Sequence, residues 1–73
     1  MTDVAVMDAE YGFTDLLRRA KAEFTEMPGL TLTYEQAVRL WAAHPAVCRA
    51  VLEALVETRF LVRTRRAAFA RSE

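Results

Sequence analysis

The run "FLVRTRRAAFAR", residues 60 to 71, sets Arg63, Arg65, Arg66 and Arg71 among alternating apolar residues with no acid between them. Arg59 lies just upstream. Guanidinium groups spaced in this way can each neutralise a phosphate and release its counterions, which gives affinity for a nucleic-acid backbone without sequence preference. The same charges also suit an ordinary exposed hairpin, where basic edge residues prevent sheet-to-sheet aggregation. Nothing comparable points to catalysis. His44 and Cys48 stand four residues apart, yet no third group is placed to orient the imidazole, so an enzyme is not expected. A lone histidine and a lone cysteine are too few for a zinc site. No metal or cofactor is implied.

Net charge is zero, but its distribution is uneven. Residues 1 to 58 hold nine acids against five bases, whereas residues 59 to 73 hold five arginines against Glu73 alone. Such asymmetry points to an anionic partner for the basic end, or to attraction between that end and the acidic portion of the same chain or a second copy. The 73 residues suffice for one small domain with little core, so self-association is a natural recourse. With 53% hydrophobic and 27% charged residues, the composition is that of a folded globule. Cys48 has no internal partner, which fits a reducing cytoplasm. Arg39, Arg49 and Glu53 interrupt the most apolar region, so no bilayer span is expected. The opening "MTDVAVMDAE" carries acids where a signal peptide carries bases.

The elements that must carry the arginines follow from periodicity. Residues 1 to 10 lack a helical repeat and are expected as a flexible arm, leaving residues 11 to 73 as the domain. Phe13, Leu16, Leu17, Ala20 and Phe24 mark one face of a first helix, ended by Pro28-Gly29. "LTLT", residues 30 to 33, is too short for an independent strand and reads as an extended piece. Thr33 and Gln36 form a capping box for a second helix through "YEQAVRLWAA". His44-Pro45 breaks that helix, and Pro45 suits the first turn of a third. Cys48, Val51, Leu52 and Leu55 give the third helix its buried face. Trp41 is expected as a core anchor between helices. After the third helix the apolar period becomes two, and a loop centred on Arg65-Arg66 sets Val62 opposite Phe69 in a hairpin.

The pattern Pro28-Gly29-Leu30, Leu32-Thr33, Gln36-Ala37, Arg39-Leu40-Trp41, Cys48, Leu52, Ala54-Leu55-Val56, Phe60-Leu61 and Arg63-Thr64 resembles that of small bacterial winged helix-turn-helix proteins, most without an assigned role. It covers about the last two-thirds of the chain. The resemblance implies a mainly α fold, with three helices and a small β-hairpin as the wing. In helix-turn-helix regulators of this broad type the third helix enters the DNA major groove and the wing touches the backbone. Three positions depart from the resembled pattern, which commonly has glycine in the turn between the second and third helices, after the third helix and in the wing loop. Here those places hold Ala43, Arg59, and Ala67 or an arginine.

The expected function is double-stranded DNA binding and transcription regulation in the cytoplasm, as a homodimer joined through the first helix or the "VAVM" arm. His44, Ala46, Arg49 and Ala50 at the start of the third helix would face the major groove. Arg59, Arg63, Arg65, Arg66 and Arg71 would hold phosphates. The outward face of that helix also carries Glu53 and Glu57, which repel phosphate. The competing expectation is therefore a protein-interaction or self-association module that uses the acidic helix and the basic hairpin as complementary surfaces.

Overall fold

The computed structural model describes the backbone of residues 3–72 and the side chains of residues 12–72. The fold is mainly helical, with three helices and a three-stranded antiparallel sheet. In chain order these are α1 (Asp3–Glu26), β1 (Thr31–Thr33), α2 (Tyr34–Trp41), α3 (Pro45–Glu57), β2 (Leu61–Arg63) and β3 (Ala68–Arg71). The sheet order is β1-β3-β2. Among the described residues no helix is long and apolar enough to cross a membrane.

Helix α1 begins at Asp3, so backbone expected as an arm is helical. The segment lacks an apolar stripe but contains good helix formers and no proline. Its side chains before Gly12 lie outside the described residues. From there the expected face is seen: Leu16, Ala20 and Phe24 are buried, with Phe13 and Leu17 packed beside them. Phe24 meets Trp41 edge to face, with ring centroids 6.4 Å apart. Buried Trp41 donates its indole N–H to Glu23 Oε1 at 3.0 Å, which satisfies the one polar atom of an otherwise apolar anchor.

The capping box forms as expected. Gln36 N–H donates to Thr33 Oγ1 at 3.1 Å, and Thr33 N–H donates to Gln36 Oε1 at 2.9 Å. Pro45 stands in the first turn of α3, where its missing N–H leaves no helical bond unmade. Cys48, Val51, Leu52 and Leu55 are buried, while Ala46, Arg49, Ala50, Glu53 and Glu57 are exposed.

Two expectations about the sheet need correction. Residues 31 to 33 are a strand after all, because Thr31, Leu32 and Thr33 pair with Ala70, Phe69 and Ala68. Too short to stand alone, the strand is completed by a partner that local sequence does not reveal. The hairpin register also differs by one: Val62 faces Ala70, and it is Arg63 that faces Phe69. The loop is longer than the arginine pair, since Thr64 N–H donates to Ala68 C=O at 2.8 Å and Ala67 N–H donates to Thr64 C=O at 3.1 Å. Thr64 Oγ1 also accepts from Arg66 and Ala68 N–H groups. Ala67, with φ 59°, supplies the left-handed turn that closes this kind of loop. The shift leaves Val62 42% exposed.

Ala67 is one of three non-glycine residues with positive φ among the described residues; the others are Ala42 (φ 48°) and Arg59 (φ 67°). Arg59 and Ala67 are two of the positions named in the sequence as departures from glycine; after α2 the left-handed residue is Ala42 and not Ala43. Both helix ends close in the same way. Ala43 N–H donates back to Val38 C=O, and Phe60 N–H donates back to Leu55 C=O. A side chain in the left-handed region costs about 1–2 kcal/mol, partly offset because glycine loses more entropy on folding. Ala42→Gly, Arg59→Gly and Ala67→Gly should therefore each stabilise the fold by about 0.5–1 kcal/mol. Urea denaturation of the three variants measures this; an unchanged or lowered midpoint in all of them would contradict it.

Candidate nucleic-acid interface

Between α3 and the β2–β3 hairpin lies a cleft of about 210 Å³, whose lining includes Tyr34, Arg49, Glu53, Arg63 and Phe69. Tyr34 opens α2, and its hydroxyl donates to the Pro45 carbonyl at 2.9 Å, tying the starts of α2 and α3 together. The hydroxyl proton is thus engaged by the chain's own backbone. The Tyr34 ring instead supports Arg49, whose guanidinium carbon stands 5.0 Å from the ring centroid. Arg63 sits in the same way over Phe69 at 5.6 Å. Each contact is worth roughly 0.5–1 kcal/mol at an exposed site and restricts a side chain that would otherwise sweep solvent.

Glu53 completes the arrangement. Its carboxylate lies 3.7 Å from Arg63 Nη2, with both side chains more than half exposed. At that exposure the pair contributes at most about 1 kcal/mol, so an incoming anion can compete for Arg63. Arg65 and Arg66 are exposed in the loop, outside strands β2 and β3. Arg63 and Arg19 are the two arginines in ion pairs among the described residues.

The structure thus divides the residues expected to act together. Arg49 and Arg63 line one cleft, and Arg65 and Arg66 are exposed in the loop of the same hairpin. Ala50 is exposed next to Arg49. Arg59 and Arg71 belong to the other end of the hairpin. Arg71 lies over Phe60 at 4.3 Å, and Lys21 of α1 approaches the same ring at 5.5 Å. Arg71 pairs opposite Leu61, two residues along β2 from Arg63. His44 caps α3, with its Nδ1 accepting from Ala46 N–H at 3.1 Å. His44 and Ala46 border a separate groove between α1 and the α2–α3 turn, and they do not line the cleft.

Sequence reasoning missed the Lys21–Phe60 contact because it joins elements distant in the chain, and the Arg63–Phe69 and Arg71–Phe60 contacts because they depend on the packing of the hairpin. The corrected register would have exposed the Phe69–Arg63 contact, since it makes the two residues direct partners. No protein-family model, curated protein or solved structure matches the chain.

Cys48 lies beneath this surface, on the buried face of α3, and burial pushes its thiol pKa up. A raised folded-state pKa means that the stability contributed by the neutral thiol is complete below the unfolded-chain value. It is lost as pH climbs from that value through the folded one. The stability gap between the wild type and Cys48→Ala should therefore narrow under alkaline conditions. Urea denaturation of both proteins across neutral to alkaline pH checks this; a gap independent of pH would exclude a titrating buried thiol.

Proposed function

We propose that the chain is a winged helix-turn-helix protein that binds double-stranded DNA and acts as a transcription regulator in the cytoplasm. The observation that carries this reading is the pair of ring-supported arginines, Arg49 on α3 and Arg63 on the hairpin, that line one cleft, with Arg65 and Arg66 exposed in the adjoining hairpin loop. The element order and the β1-β3-β2 sheet support it, because they put a hairpin beside the exposed face of α3. In this reading the exposed Arg49 and Ala50 approach the major groove, where the small Ala50 side chain allows close contact with base edges, while Ala46 borders the other groove. Arg63, Arg65 and Arg66 take neighbouring phosphates. Arg59 and Arg71 lie nearer the opposite end of the hairpin and would reach only a longer or bent duplex.

A second reading has its own observation. Glu53 already takes up Arg63, and Glu57 adds another acid to the exposed face of α3. That face therefore also suits a basic protein partner in a module that does not bind DNA.

Fluorescence anisotropy with a labelled generic duplex separates the readings. Three or four phosphate contacts predict a log–log salt slope of roughly −3 to −4 between about 50 and 200 mM salt, at about −0.9 per phosphate. Joint reversal of Arg63, Arg65 and Arg66 to glutamate should abolish binding, whereas Glu53→Gln should tighten it about two- to fivefold by freeing Arg63. No binding by the wild type at low salt, or binding indifferent to the triple reversal, would transfer the chain to the protein-interaction reading.

A further inference from the structure

Gly12 is a feature of α1 that the single chain does not explain. It lies within a 24-residue helix, where glycine weakens the helix relative to alanine. Among the described residues nothing nearby demands the missing side chain, because a Cβ built there meets none of their atoms within 4 Å. Nor is its conformation special, since no glycine here has positive φ. What remains is close approach by something outside the fold. Gly12 borders a groove of about 870 Å³ between α1 and the α2–α3 turn. Leu16, Trp41 and Val47 give the groove an apolar lining, and Asp15 and Arg19 stand at its edge.

We infer that this groove seats α1 of a second copy, packed antiparallel about a two-fold axis. Gly12, Asp15, Arg19 and Ala22 recur at i, i+3, i+7 and i+10, one continuous stripe of α1, and none of them is buried. Turned against its own copy, the stripe is self-complementary. Gly12 meets the partner's Ala22, two small residues that let the helix axes come close. Asp15 meets the partner's Arg19, and the two-fold repeats both contacts. Arg19 Nε lies 3.5 Å from Glu23 Oε2, and the arginine side chain is more than half exposed, so the partner's Asp15 can compete for it.

The groove shares no lining residue with the Arg49–Arg63 cleft, so the inference does not rest on DNA binding.

Sedimentation equilibrium without DNA, from micromolar to submillimolar protein, is the test. The wild type should form a reversible dimer. Asp15→Arg places arginines together at both contacts, and Arg19→Asp places aspartates together, so each variant alone should associate about tenfold or more weakly. An equimolar mixture of the two should recover association, because every contact between unlike chains is then opposite in sign. Recovery only on mixing is not explained by a change inside one chain. Gly12→Leu should also weaken association while circular dichroism shows an undiminished melting temperature, and it keeps the test open if Arg19→Asp fails to fold. A monomeric wild type, single variants that dimerise normally, a mixture no better than its components, or a Gly12→Leu protein that dimerises like wild type would each overturn the inference.

Discussion

The buried stripe of α3 is the constraint on which the rest of the molecule depends. Cys48, Val51, Leu52 and Leu55 form the side of α3 against which α1, α2 and β2 all pack. A chain this small has no second core to fall back on. The packing also fixes the orientation of the opposite face. Once the apolar stripe is inward, Arg49, Ala50, Glu53 and Glu57 must face solvent, because positions three or four residues apart share a side of the helix. Burial and the exposed chemistry of α3 are thus two outcomes of one rotation about the helix axis.

Holding α3 in place requires three sharp reversals of the backbone, and the chain makes each with a residue poorly suited to it. Ala42, Arg59 and Ala67 all adopt left-handed conformations without the freedom of glycine. Backbone bonds fix the first two. In each, the N–H of the following residue is drawn back to a carbonyl of the preceding helix, and few other conformations satisfy those groups. The third is fixed by Thr64, whose hydroxyl accepts two loop N–H groups. The strain therefore accompanies hydrogen bonding that would otherwise be lost, and all three reversals lie at the joints that position α3 and the hairpin.

On the exposed side, electrostatics is balanced rather than uniformly basic. Aromatic rings from β3 and α2 hold Arg63 and Arg49 over the cleft, while Glu53 offsets one of them. At this exposure the acid is a weak competitor, since water screens the pair and two long side chains must be ordered to form it. A dense row of phosphates, gaining from counterion release, is a stronger one. The groove beside α1 has a different character. It is largely apolar, with Asp15 and Arg19 at the edge, a composition suited to another protein surface.

Much of this was legible in the chain before any coordinates. The capping box at Thr33–Gln36, the role of Pro45 and both faces of α3 are decided by contacts within four residues, so spacing alone identifies them. The crowding of arginines into the last fifteen residues was equally plain. Local sequence could not decide the partner of β1, because Leu32 finds Phe69 across thirty-seven residues. Nor could it decide the hairpin register, since a shift of one residue moves every cross-strand pair with it. It also could not tell which arginines share a surface, as Arg49 rests on a ring of α2 and Arg63 on a ring of β3 and beside Glu53 of α3. The sequence by itself determined the apolar faces of the three helices and the total of positive charge, though not the start of α1, since these faces depend on neighbours along the chain. The tertiary structure alone decided how that charge is divided between surfaces, since this depends on neighbours in space.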